Sequence, residues 1–163
     1  MSEPLTDYET FQLHEARRYL RHVREVVRRM SSLREQLDAE RETYDMVTAV
    51  RYGEKVTVSA PEHGDDAMAA HVERIDRLVS GMETEYVEYT ATLVECRVAL
   101  AALTAPDGYA VLSRHYIACE TWPEVAAATG YDESTVRYKA NRAMVELWGV
   151  MPQQWRTRRY SAV

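Results

Sequence analysis

Residues 66–104, DAMAAHVERIDRLVSGMETEYVEYTATLVECRVALAALT, decide the fold. Within and around this run Met68, Val72, Ile75, Val79, Met82, Tyr86, Tyr89, Leu93, Cys96, Leu100 and Leu103 recur in alternating steps of four and three. That is the heptad period of a helix burying one seam against another helix. A strand repeats every two residues and cannot carry it. Asp65 or Asp66 stands where an N-cap is expected. Upstream, Tyr19, Val23, Val26, Met30, Leu33 and Leu37 form a second seam, which resumes at Tyr44 and Val47 after an interruption at Glu40. Thr6 and Glu9, just behind Pro4, have capping-box spacing. The Gly- and Pro-containing stretch from Gly53 to Gly64 separates the seams, and its Val56/Val58 alternation is too short for a strand. The prediction is an antiparallel, coiled-coil-like hairpin over residues 1–104. Its helices lie near 7–48 and 66–104, its connector at about 49–65, and it folds as a unit by itself.

Composition agrees. Six Gly and five Pro in 163 residues leave few turns for a sandwich or barrel. The longest runs without Asp, Glu, Lys or Arg, Val98–Pro106 and Leu147–Trp155, hold nine residues each. A membrane span needs about 20. The acidic start, MSEPLTDYET, has no apolar core of a secretory signal. With Cys96 and Cys119 read as reduced core residues in helical patterns, the expected location is the cytoplasm.

The net charge of −6 argues against a general nucleic-acid coat, but the charge is uneven. Residues 1–104 carry 13 Lys/Arg against 20 Asp/Glu, whereas residues 131–163 carry six against three. A basic end on an acidic chain is where an anionic partner is sought. Arg17, Arg21, Arg24 and Arg28 form a stripe in the first helix, read as a solvated or salt-bridged flank facing the acidic second helix.

The stretch Trp122–Asn141, WPEVAAATGYDESTVRYKAN, has helix-turn-helix grammar. Thr121 and Glu124 repeat the capping-box spacing, and Pro123 sits in a first turn. Gly130 falls one residue past a short helix, where a positive φ turns the chain. Asp132 or Ser134 caps the next helix. Val136, Ala140, Ala143, Met144 and Leu147 give that helix an inner face, and small Ala126 lets it cross closely. Tyr109, Leu112, Tyr116 and Ile117 supply a supporting helix. Helices are expected near 107–118, 122–129 and 133–147, making the chain all-α: a helical hairpin followed by a helix-turn-helix domain over 105–163.

Such a turn frames a major-groove helix. Its outward positions would be Glu133, Ser134, Thr135, Arg137, Tyr138, Asn141 and Arg142. Arg suits guanine, Asn adenine and Glu cytosine N4. Ser134 and Thr135, at the helix start, suit phosphates. Lys139 lies off that face. Arg156, Arg158 and Arg159 form a basic tail able to follow a backbone.

Residues 109–147 resemble the fourth region of bacterial sigma factors, in which a hydrophobic-Ala-x-x-x-Gly run precedes the promoter-reading helix. The whole layout resembles the ArpU/RinA-type phage regulators of late transcription. The resemblance implies a sequence-specific, double-stranded-DNA-binding regulator of phage or prophage origin, with host RNA polymerase as a candidate partner. Glu133 stands where related domains often carry a basic residue, so the operator does not transfer. A homodimer is expected, because a lone hairpin encloses little core. The alternative is the small subunit of a phage DNA-packaging terminase, which would form a ring. A third reading is a helical scaffold without DNA affinity. The five His lack metal-ligand spacing and no phosphate loop or catalytic arrangement occurs, so no cofactor, metal or enzymatic activity is expected.

Overall fold

The computed structural model describes residues 4–53 and 63–156, and among them every element is helical. Helix α1 runs Asp7–Gly53, α2 His63–Ala101, α3 Pro106–Leu112, α4 Trp122–Thr129 and α5 Glu133–Val150. α3 continues into a π turn, Ser113–Ile117, and a 3-10 turn closes the described chain at Gln153–Trp155. The connector between α1 and α2 lies outside the described residues. No described helix is long and apolar enough to cross a membrane.

The ends form for the reasons their sequences suggest. Glu9 accepts the Thr6 N–H and returns its own N–H to the Thr6 hydroxyl. Glu124 accepts both the N–H and the hydroxyl of Thr121, each at 2.7 Å. Asp132 caps α5 by accepting the Thr135 N–H. Where α2 ends, the Thr104 N–H donates to Glu146 of α5 at 2.7 Å.

Packing does not divide at residue 104. One compact unit takes Met1–Arg28 with Tyr89–Val163, the other Arg29–Glu88. In the first, α1 buries Leu13, Ala16, Leu20 and Val23 beside the Tyr19–Val23–Val26 seam. That apolar face is wider than α2 alone can cover. Val111, Leu112, Val125 and the inner face of α5 join it in one core with Cys96, Ala99 and Leu100. This half of the hairpin and the helix-turn-helix therefore share a single interior. α3 approaches α5 so closely that a Cβ on Gly108 would meet the Ala143 Cβ at 2.8 Å.

The second unit is a pair of helix segments with a thin seam. Leu37 is its one buried apolar side chain among the described residues. Tyr86, expected inside the seam, is 60% exposed and Val72 is 43% exposed. A strict heptad drifts by about 20° per repeat around a straight helix, and two helices cover only a narrow strip. Polar ties supplement it. Glu40, the interruption in the first seam, accepts from Arg74 at 2.6 Å and pairs with His71. Arg29 meets Glu88 at 3.2 Å and Glu85 at 3.6 Å.

Candidate nucleic-acid interface

The site is built on the turn between α4 and α5. Gly130 adopts φ 73°, and its N–H closes α4 on the Ala126 carbonyl at 3.0 Å. Val125 and Ala126 of α4 meet Val136, Ala140, Ala143, Met144 and Leu147 of α5, all buried. The opposite side of the first two turns of α5 faces solvent: Ser134, Arg137 and Tyr138 are exposed, Glu133 in part. Arg137 donates twice to Glu133, at 2.6 and 2.9 Å, and its guanidinium lies 5.6 Å from the Trp122 ring centroid.

Several expected contacts are already engaged within the chain. The hydroxyls of Ser134 and Thr135 donate to Asp132, at 2.5 and 2.6 Å. Those hydroxyls, with the Thr135 N–H, hold the Asp132 carboxyl well below the usual range. The start of α5 is thus acidic, and neither hydroxyl is open to a phosphate. Asn141 and Arg142 are half-buried rather than outward. Asn141 Oδ1 accepts from Arg17 at 3.2 Å, and Arg142 pairs with Glu9 at 3.1 Å. Arg156 donates to the Gly149 carbonyl at 3.2 Å, so it finishes α5 instead of extending a tail. Arg158 and Arg159 lie outside the described residues. Lys139, expected to lie off the outward face, pairs with Asp107 at 2.6 Å and sits 4.6 Å from the Tyr131 ring centroid.

What sequence reasoning missed is the arrangement of α1 against α5. Tyr8 and Phe11 pack edge-on to Trp148, and Arg17 reaches Asn141, so the two helices run antiparallel. The arginine stripe expected to face α2 consequently turns elsewhere: Arg17, Arg21 and Arg24 line an open groove of about 620 Å³ with Arg137, Asn141, His115, Tyr116 and Trp122, and it is Arg29, beside the stripe, that meets acidic residues of α2. No Asp or Glu lines it.

His115 organises the groove wall. It is 7% exposed and stacks on Trp122 with centroids 3.7 Å apart. Its Nδ1–H donates to the Glu120 carbonyl at 2.8 Å while Nε2 accepts from Arg24 at 2.9 Å. Burial, helped by the nearby Arg24, Arg137 and Arg28 charges and opposed by the Glu120 bond, lowers its pKa to about 4. The ring is therefore neutral near pH 7, and its Nε2 can accept the hydrogen bond from the Arg24 N–H. Arg24 also donates to the Cys119 carbonyl at 3.1 Å. Cys119 is half-buried and outside any helix, at φ 59°, which corrects its reading as a helical core residue; Cys96 is buried.

Neither a family model, nor a curated protein, nor a solved structure matches the chain. Among the described residues no group of three or more His, Cys, Asp or Glu could hold a metal ion.

Proposed function

We propose that the chain is a non-enzymatic, sequence-specific transcription regulator that lays α5 in the major groove of double-stranded DNA. The single observation carrying this reading is the closed helix-turn-helix. Gly130 turns the chain at positive φ, Ala126 and Val136 are buried, and Arg137 and Tyr138 are left exposed on the early turns of α5. In such motifs the first residues of the second helix contact base edges. The reading head contracts to Glu133, Arg137 and Tyr138, because Asp132 holds the Ser134 and Thr135 hydroxyls and α1 holds Asn141 and Arg142. On binding, Arg137 exchanges its Glu133 partner for a guanine edge.

The resemblance to ArpU/RinA-type regulators supports the same reading and adds a phage or prophage origin, action in the host cytoplasm and host RNA polymerase as a candidate partner. A homodimer belongs to the proposal. Val94 and Val98, one turn apart on α2, are 57% and 67% exposed and offer an apolar strip for a second copy.

Fragments of phage and host DNA selected by the full chain should share one sequence. Arg137→Ala should then cost about 1–3 kcal/mol on that sequence and relax discrimination at one base pair. Equal losses on selected and random duplexes would remove direct readout by α5. A large ring in sedimentation would favour the terminase reading.

A further inference from the structure

We infer that Arg17, Arg21 and Arg24 of α1 form a phosphate clamp that grips the DNA backbone flanking the groove entered by α5. The inference rests on the proposed function and adds a second, sequence-independent contact surface from a helix outside the helix-turn-helix.

Charge comes first. Four guanidiniums, those three and Arg137, share one open groove whose lining contains no carboxylate, in a chain with net charge −6. Of the four, Arg137 has Glu133 as counter-charge; the other three have no carboxylate partner among the described residues and repel one another, and an anion seated among them relieves that repulsion. Nor are these arginines committed as surface ion pairs usually are. Arg17 donates to a neutral amide, and Arg24 to a neutral imidazole and a carbonyl. Arg24 Nε–H is buried without an acceptor, and exposed Arg21 has no hydrogen bond or ion pair among the described residues. All three keep a full positive charge for a ligand.

Geometry then selects the polymer backbone over a small anion. Arg17, Arg21 and Arg24 stand at i, i+4 and i+7, a line about 10 Å long at 1.5 Å per residue. One DNA strand presents a phosphate every ~3.4 Å of helix axis, but it winds as it rises, so its phosphates lie about twice as far apart along the rim and the line spans about two. Arg17 is bonded to Asn141, one turn beyond Arg137 on the same helix, and so α1 runs beside the reading helix. The major groove, about 12 Å wide, admits one helix. With α5 inside it, α1 is left over the sugar-phosphate rim, where backbone contacts fix register without reading sequence.

Arg21 is the residue to test, since its loss breaks no bond in the fold. The full chain is titrated with the selected duplex and with a random duplex across a salt series, comparing wild type, Arg21→Ala, Arg137→Ala and Arg34→Ala. Arg34 removes the same charge from the other unit. Arg21→Ala should lower the steepness of log K against log salt by about 0.9 on both duplexes and weaken each about fivefold near 0.15 M salt. Arg34→Ala should leave the slope unchanged. An unchanged slope in Arg21→Ala, an equal fall in Arg34→Ala, or a loss confined to the selected duplex would each overturn the clamp. Arg137→Ala reports separately on α5: if it relaxes specificity while Arg21→Ala changes nothing, the reading helix stands and the clamp falls. No DNA binding by wild type ends both. Inorganic pyrophosphate supplies the other arm. A shift of the Trp122 indole resonance on adding it, lost in Arg21→Ala while the DNA slope is unchanged, would assign the groove to a small anion instead.

Discussion

The two halves of one helical hairpin are built on the same heptad pattern, yet they bury it to different depths. In the unit of Met1–Arg28 and Tyr89–Val163, Tyr19, Leu20, Val23 and Leu100 are almost wholly enclosed. In the unit of Arg29–Glu88, Leu37 is the one buried apolar residue among those described, and it is less enclosed than these. Periodicity specifies which face turns inward. How much water that face loses depends on how many other elements cover it, and a two-helix pair covers one strip only.

The largest expected effect tests this difference directly. Leu100→Ala should cost about 2–5 kcal/mol, the range for a large core deletion. Ile75→Ala, on the same helix and the same seam but half-buried, should cost about 1 kcal/mol. Urea unfolding of both variants checks it, and equal costs would show that the second unit is as well packed as the first. Gly130→Val should come next, at about 1–3 kcal/mol, from strain at φ 73° alone, since an added Cβ meets no neighbour. Asparagine, tolerant of that region, should recover much of the loss.

Smaller still is a pH effect confined to the first unit. His115 falls from 6.5 to about 4 on folding, so the unfolded chain takes its proton first as pH drops. Its contribution is therefore whole above pH 6.5 and lost progressively down to about 4. The thermal midpoint of wild type should fall through that window more steeply than that of His115→Gln. Parallel curves would place the acid sensitivity on carboxylates such as Asp132, Asp107 and Glu9 instead.

Much of this was legible in residue order. α4 begins and ends where Thr121, Pro123 and Gly130 place it, because each acts within its own turn. The buried face of α5 follows from its three-four spacing for the same reason. The loss of Ser134 and Thr135 to Asp132 is also local, a capping carboxylate competing for nearby hydroxyls, and could have been read. Arg17 meeting Asn141 could not, since the two are 124 residues apart. Charge pattern alone paired the arginine stripe with the acidic residues of α2. Instead, the second apolar stripe, Leu13–Ala16–Leu20–Val23, is buried in the common core with α5 and sets the arginines of that half beside α5, where Arg17 meets Asn141. His115, set aside for want of a metal partner, gains its role from Trp122 and Arg24, which only the fold brings to it.

The π turn after α3 makes the length of the chain itself a structural constraint. From Ser113 to Ile117 the backbone bonds five residues apart, with the Ala118 N–H on the Ser113 carbonyl at 3.0 Å. Such a turn holds one residue more than an α turn. Deleting one residue there would narrow it to an α turn that closes the same revolution, so the chain after it would keep its phase while His115, inside the turn, would be turned against its neighbours by up to about 100°, one residue's step. The His115–Trp122 stack and the Arg24 bond depend on its orientation. A connector in a loop absorbs a lost or gained residue at little cost; inside this turn the same change falls on the wall of the groove.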